Sequence, residues 1–227
     1  MKKIVVLTGA GISAESGLKT FRDSNGLWEN YHIEDVATPE AWRKNPKLVQ
    51  EFYNLRRKEI IGASPNLAHL FLADLQDRYE LEIITQNIDD LHERAGSQKV
   101  LHLHGNIRLA KSSGPNQEKK YYPILGDSLS LTDLCDDGFP LRPHVVWFGE
   151  DVPLLSVAAE RCNEADILLI IGTSLQVYPA AGLIHAVKSG CEKIVVDPNT
   201  KLLGLDYSFT QIQATAVEGI KQLAKLL

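Results

Sequence analysis

The chain has 227 residues, 44% hydrophobic and 23% charged, a globular balance suited to one α/β domain with a smaller appended module. A formal net charge of −5 and a pI near 5.8 exclude the strong basic excess of a nucleic-acid binder. Three scattered cysteines, Cys135, Cys162 and Cys191, exclude a disulfide framework and a four-thiolate zinc site, and make the reducing cytoplasm the expected compartment.

Lys2-Lys3 is followed by the apolar run Ile4–Leu7, which stops at Thr8-Gly9 and is too short for a signal-peptide core. No stretch approaches the ~18–20 apolar residues of a membrane span, so no membrane association is expected. Ile4–Leu7 reads instead as a buried strand, β-branched and ended by glycine. Asn45-Pro46 looks like a cap followed by proline at the first helical position, opening a helix to about Ile60 with Leu48, Phe52, Leu55 and Ile60 near one stripe. Ser64-Pro65 repeats the start signal for a helix carrying Leu67, Leu70, Phe71 and Leu75. Further strands are expected at Glu80–Ile84, Val145–Phe148, Ile167–Ile171 and Ile194–Val196, and a last helix at Val217–Leu227. This alternation implies an α/β fold with a largely parallel sheet covered on both faces. Residues 25–61 and 106–142 break the rhythm and are assigned to the smaller module. Residues 1–24, 62–105 and 143–227 are assigned to a Rossmann-like part.

Ligands of open α/β sheets bind beyond the carboxyl ends of the strands. Four of these runs deliver small, hydrogen-bonding residues there: Thr8–Ala14, Thr85–Asp89, Gly172-Thr173-Ser174 and Asp197–Thr200. Gly9-Ala10-Gly11-Ile12-Ser13-Ala14 fits G-x-G-x-x-[GA] directly after a strand, a turn that lets backbone approach a pyrophosphate. A tight strand–helix turn without a ligand is the alternative. The ribose-binding acid of a dehydrogenase, expected about 20 residues later at the end of a strand, is missing, because Asp23–Asn30 reads as a loop.

Together these segments resemble the sirtuin family. Gly9–Gly17 with Thr20-Phe21-Arg22 and Gly26-Leu27-Trp28 resembles its first motif, and Thr85–Asp89 with Leu91-His92 and Ala95-Gly96 its second. Leu103-His104-Gly105 resembles the segment with the catalytic histidine. Val146-Trp147-Phe148-Gly149-Glu150 resembles the substrate-binding segment. Gly172-Thr173-Ser174 and the Asn199 turn resemble the late NAD contacts. The motifs come in family order over almost the whole chain.

The resemblance implies a Rossmann-like domain with a helical and ribbon module, and an NAD-dependent deacylase acting on acyl-lysine proteins or peptides. Its products are nicotinamide, free lysine and O-acyl-ADP-ribose. It implies that Asn87 and Asp89 hold the nicotinamide carboxamide with Ile88 against the ring, and that Gln86 meets the nicotinamide ribose. Gly9, Ala10, Gly11, Ile12, Ala14, Thr20, Phe21, Arg22, Trp28 and Ala216 complete the implied NAD contacts, with Gly172, Thr173, Ser174 and Asn199. His104 is implied as general base, a task suited to an imidazole with an ordinary pKa of ~6.5. His102 shares its face if the segment is extended, so spacing alone does not choose between them. His92 and His144 read as structural.

Val146, Trp147, Phe148 and Gly149 are implied to bind substrate. Phe52-Tyr53-Asn54-Leu55-Arg56-Arg57 resembles the helix of the desuccinylase-like branch. Tyr53 and Arg56, three apart on a helix, can meet a succinyl or malonyl carboxylate. The alternative is a solvated run, Arg56-Arg57-Lys58, with Tyr53 at the core's edge. Ala14, small where bulk would narrow the acyl channel, agrees with that branch.

Most sirtuins hold a structural zinc with two cysteine pairs between the positions of Gly105 and Arg142. This stretch has Cys135 alone, with Ser112-Ser113 where a pair is expected, so no zinc is expected. The module is then expected to pack through Tyr121, Tyr122, Ile124, Leu125, Leu129, Leu131, Leu134 and Phe139. A monomer is the expected state. Protein ADP-ribosyl transfer and a non-catalytic NAD or ADP-ribose sensor are the competing readings.

Overall fold

The computed structural model describes residues 1–19, the main chain of 27–28, and residues 31–200, 205 and 208–227. Strands β1 (Lys3–Thr8), β4 (Glu80–Thr85), β5 (Val100–His102), β9 (Ile167–Ile171), β10 (Glu192–Val196) and β11 (Phe209–Ile212) form one parallel sheet. Their order is β11-β10-β9-β1-β4-β5. Counted along the sheet by chain position, this is the 3-2-1-4-5-6 order of a dinucleotide-binding fold, with its switch point between β1 and β9.

Side chains alternate along each strand and divide the core in two. Ile4, Val6, Ile83, Leu169, Ile194 and Val196 face Leu72 and Leu75 of α5 (Leu67–Leu75) and Leu223 of α8 (Ala216–Leu226). Val5, Leu7, Ile84, Leu168, Ile170 and Val195 face Ala158 and Cys162 of α7 (Leu155–Glu164) and the 3-10 turn Ala180–His185. Burial on both faces is why these strands read as continuous apolar runs. Among the described residues no helix is long and apolar enough to cross a membrane.

A second layer sits against the carboxyl edge. It contains α2 (Ile33–Val36), α3 (Pro39–Lys44) and α4 (Pro46–Gly62), with a three-stranded antiparallel sheet of β6 (Gly105–Ser112), β7 (Tyr121–Pro123) and β8 (Leu141–Val145). A two-stranded ribbon pairs β2 (Leu27–Trp28) with β3 (Tyr31–His32). Helix α4 starts as expected, with Asn45 accepting from the Leu48 N–H at 3.1 Å and Pro46 at its first turn. Phe52, Tyr53, Ile107, Val145 and Trp147 form the core between α4 and the small sheet.

Several expectations need correction. The strand expected at Val145–Phe148 is Leu141–Val145, and it is antiparallel in the small sheet. Val146 to Phe148 run on beyond it as irregular chain, because Trp147 turns into the α4 core. The helix expected from Ser64-Pro65 is capped by Asn66, whose side chain accepts from the Ala68 N–H at 2.9 Å. The core of the small sheet is Ala110, Ile124, Leu129, Cys135 and Leu141 with Tyr122 against it. Leu125 is 95% exposed, and Leu134 and Phe139 are also largely exposed. Arg57 does the packing that these side chains do not. It is fully buried, donates from Nε to the Ile107 carbonyl at 2.8 Å, and from Nη1 to Asn54 Oδ1 at 2.7 Å. Asn54 in turn holds both the N–H and the carbonyl of Leu129.

Candidate active site

The glycine loop after β1 meets the loop after β9 at the switch point. Gly9 N–H donates to the Ile171 carbonyl at 3.2 Å and Gly11 N–H to the Gly172 carbonyl at 2.8 Å. A side chain on Gly11 would meet the Gly172 Cα at 2.7 Å, and Gly172 itself sits at φ +61. The two glycines let two backbones touch, so the motif serves this contact as well as any ligand. The N–H groups of Ile12 and Ser13 bond to the carbonyls of Gly9 and Ala10. Among the described residues, Ala10 is the loop position whose N–H has no backbone partner here. Helix α1 (Gly11–Ala14) is a single turn, so a long helix dipole is not on offer.

Across the edge, the loop after β4 is held at three successive carbonyls. Gln86 O faces His104 Nδ1 at 3.0 Å, Asn87 O faces His102 Nδ1 at 3.0 Å, and Ile88 O accepts from the Ile107 N–H at 2.8 Å. Its side chains are tied to the glycine loop. Asn87 Nδ2 donates to Ser13 Oγ at 3.1 Å, and Ser13 Oγ donates to Asp89 Oδ2 at 3.0 Å. His69 Nδ1 accepts the Asn66 N–H, which leaves the proton on Nε2, 3.5 Å from the same Ser13 Oγ. One hydroxyl thus uses its proton and both lone pairs. Burial pushes the Asp89 carboxyl above its usual range, against the Leu91 N–H and the Ser13 hydroxyl, which pull it down. Burial alone drops His69 to about 4, so it is neutral at physiological pH.

The two candidate histidines differ in what remains free. His104 uses Nδ1 on the Gln86 carbonyl, which fixes the Nδ1–H tautomer. Among the described residues its Nε2 has no hydrogen-bond partner. Burial lowers its pKa, and the carbonyl bond offsets part of that shift. His102 uses both nitrogens, Nε2 lying 2.6 Å from Glu93 Oε1. Burial opposes its charged form, but the Glu93 carboxylate outweighs this and holds the imidazole above its ordinary value. Gly105 follows at φ +85, where a Cβ would lie 2.1 Å from the His144 carbonyl. Only glycine leaves room for β8 to pass.

Residues 9–179 match the Sir2 family. The chain belongs to the Sir2 family. A protein of Bacteroides thetaiotaomicron named NAD-dependent protein deacylase is 46% identical over 230 residues, covering 100% of this chain and 98% of its own. One of that name from Helicobacter pylori is 48% identical over 224 residues, covering 98% and 96%. Among solved structures, a Sir2 homolog–NAD complex superposes with a TM-score of 0.86 at 38% identity, covering 99% of this chain and 89% of that one. A Sir2 protein bound to a propionylated peptide gives 0.75 at 30%, covering 98% and 92%.

In this Sir2 chain the remaining predicted residues fall as follows. Gln86 Nε2 donates to Thr173 Oγ1 at 3.1 Å, joining the second motif to the Gly172-Thr173-Ser174 turn. Asn199 is exposed after β10, its N–H on Asp197 Oδ1 at 2.8 Å. Ala216 is buried at the start of α8, where the Glu15 carboxylate accepts the Val217 N–H at 2.8 Å. Ala14 is exposed beside it. Thr20, Phe21, Arg22 and the Trp28 side chain lie outside the described residues.

The segment expected to bind substrate is bonded to the histidine segment, Val146 N–H donating to the His104 carbonyl at 2.9 Å. Trp147 is buried, with its indole N–H on Tyr53 Oη at 3.0 Å and the Arg142 guanidinium 3.6 Å above its ring. Phe148 is half exposed and Gly149 sits at φ +88. Tyr53 is fully buried, and desolvation drives its phenol pKa upward. Arg56 is 5% exposed and pairs with Glu59 at 3.0 Å, and Arg57 is buried too, so the solvated-run alternative does not describe this helix. A cavity of about 670 Å³ opens on the far side of Gly149, between Lys111, Gln117 and Glu118 of the small sheet and Glu150-Asp151, and neither His104 nor Tyr53 and Arg56 line it.

The donors around Cys135 do not suit the zinc that the family resemblance raises. Cys135 donates its thiol proton to Ser112 Oγ at 3.3 Å, and among the described residues no group of three His, Cys, Asp or Glu converges on one point. One thiol and a serine hydroxyl do not fit a tetrahedral zinc set. Ser13 and His69 were missing from the expected site. Ser13 stands inside the glycine motif, but hydroxyls in such loops are common. His69 lies in the first turn of the apolar helix α5, where it closes the cap with Asn66, and nothing in its local sequence ties it to Ser13.

Proposed function

We propose that this chain is an NAD-dependent protein-lysine deacylase. It releases nicotinamide, free lysine and O-acyl-ADP-ribose. The observation that carries this reading is the single edge shared by His104, the Gln86–Asp89 loop and the Gly9–Ser13 loop, with His104 Nδ1 on the Gln86 carbonyl at 3.0 Å. The deacylase name of close relatives and the NAD and propionyl-peptide complexes of similar structures support it.

His104 is the general base. Its Nε2 lone pair takes the proton of a ribose hydroxyl, freeing that oxygen to attack the acyl-derived carbon. Burial keeps the imidazole neutral and therefore competent. Asn87 and Asp89 bind the nicotinamide carboxamide, an amide and a carboxylate supplying donor and acceptor. Ser13 holds both in place. Ile88 packs on the nicotinamide ring and Gln86 meets its ribose. The Ala10 N–H, Thr173, Ser174 and Arg22 serve the phosphates, and Asn199 and Ala216 the adenosine end. Thr20, Phe21 and Trp28 belong to the same cofactor wall by family resemblance.

Val146 to Gly149 hold the peptide, with Trp147 as the floor of the acyl channel. At its end Tyr53 and Arg56 recognise an acidic acyl group, succinyl or malonyl, beside plain acetyl. A carboxylate already meets Arg56 at 3.0 Å, from Glu59, whose own side chain is 47% exposed. A succinyl carboxylate exchanges for it at the buried guanidinium. The Rossmann-like part comprises residues 1–24, 62–105 and 143–227, and the smaller module 25–61 and 106–142. That module folds without zinc, and the protein acts as a cytoplasmic monomer.

The test is a panel of acetyl-, malonyl- and succinyl-lysine peptides with and without NAD. Turnover that depends on NAD supports the reading. Turnover without NAD, or none with any peptide, refutes it.

A further inference from the structure

His102 is the histidine that the reaction leaves unused, yet it is the more tightly held of the two. Its Nδ1 lies 3.0 Å from the Asn87 carbonyl and its Nε2 lies 2.6 Å from Glu93 Oε1. The Asn106 Nδ2 is 3.3 Å from that same Nε2, but Asn106 Oδ1 is committed to the Arg108 N–H at 2.8 Å. The amide therefore presents a donor to a nitrogen that already carries a proton, and this is a contact rather than a bond. His102 and His104 stand two residues apart and seize adjacent carbonyls, Asn87 and Gln86. One is closed by a carboxylate and the other is open at Nε2.

We propose that His102, clamped by Glu93, is a positioning residue that fixes the Asn87 carbonyl and so sets the orientation of the Asn87–Asp89 pair toward nicotinamide. This rests on the deacylase reading given above. Asn87 is also held by its N–H on Thr85 Oγ1 at 3.1 Å and by its side chain on Ser13, but among the described residues His102 is the partner of its carbonyl, while the neighbouring carbonyls go to His104 and Ile107. A tilt at Asn87 O moves the Asn87 side chain off Ser13 and with it the hold on Asp89.

The charges around His102 favour the doubly protonated ring. Glu93 faces it from α6 (Leu91–Arg94), and Asp89 faces it from the loop. His92 of α6 and His144 of β8 also feel its charge, and each is held below its ordinary pKa, chiefly by burial. Asp90 is engaged by Arg94 and Arg108.

The experiment uses the full chain and has two readouts. In side-chain ¹⁵N spectra at pH 6.5, the ordinary histidine value, assigned with His102→Gln, His102 is expected to carry protons mainly on both ring nitrogens while His104 is mainly neutral. A neutral His102 ring overturns the clamp, whatever the activity. In kinetics, His102→Leu is expected to raise the half-inhibiting nicotinamide concentration about 10-fold with the peptide KM moving less than about 2-fold. His102→Gln, which still donates to Asn87 O, is expected to recover most of that loss. Equal shifts in both constants, or none in folded His102→Leu, overturn the proposal. If His102→Leu does not fold, Glu93→Gln carries the test, with a rise of about 3-fold expected and no change overturning it. A wild-type protein that never cleaves NAD defeats the deacylase reading instead and leaves the spectroscopic test standing.

Discussion

His104 Nδ1 lies 3.0 Å from the carbonyl oxygen of Gln86, a residue 18 positions earlier in the chain. That bond sets the tautomer of the proposed base and ties it to the loop proposed to bind nicotinamide. Replacing His104 with Ala is expected to lower kcat for deacylation about 100-fold or more while the protein stays folded. The base must be neutral, and burial lowers its pKa from the ordinary 6.5. The acid limb of kcat/KM, where activity rises with pH, should therefore lie below pH 6.5. A limb above that value, measured on wild-type protein, contradicts the assignment.

Ser13 is expected to be as sensitive as the residues it orients. Ser13→Ala leaves buried atoms of Asn87, Asp89 and His69 without their shared partner. The expected cost is about 2–3 kcal/mol of stability, with a rise in KM for NAD. Chemical denaturation and NAD titration measure the two effects. An unchanged KM for NAD would show that the hydroxyl does not align the pair.

Much of this was legible in the sequence, and the limits have physical causes. Ile167–Ile171 and Ile4–Leu7 read as strands because both faces of the parallel sheet are covered, leaving apolar runs without alternation. The small sheet did not read. Its strands carry Arg108, Lys111 and Arg142, and two of these are buried by ion pairs with Glu118 and Glu150, seven and eight residues on in the loops beyond each strand, a pairing that no strand periodicity signals. Val146-Trp147-Phe148 has the composition of a strand but follows the pull of the α4 core. Spacing alone did not separate His102 from His104, and the family resemblance named His104; the physical difference, Glu93 closing His102 at 2.6 Å, is a contact that no local pattern links to either. Ser13 and His69 meet only through the fold.

Arg56→Met should separate acyl groups. Removing the guanidinium is expected to lower kcat/KM for succinyl and malonyl peptides about 30-fold or more, with acetyl peptide changed less than about 3-fold. The acyl-peptide panel on purified variant checks this. An equal loss on all three peptides contradicts acid recognition.

The small sheet should depend on Arg57 and not on metal. A chelator is expected to leave the thermal midpoint unchanged. Arg57→Ala removes bonds to Ile107, Asn54 and Asp127 and is expected to cost about 2–4 kcal/mol. Thermal unfolding of both samples, with metal analysis of the untreated protein, tests the pair of statements. A large chelator-induced drop contradicts them.

The central claim is that one cleft joins NAD cleavage to removal of an acyl group. Its most direct test is a mass-spectrometric product count on wild-type protein with NAD and an acyl-lysine peptide. Equal amounts of nicotinamide, free lysine and O-acyl-ADP-ribose are predicted, and none of them without NAD. Free lysine with no acylated ADP-ribose, or nicotinamide release matched by ADP-ribose on the protein itself, would contradict the account.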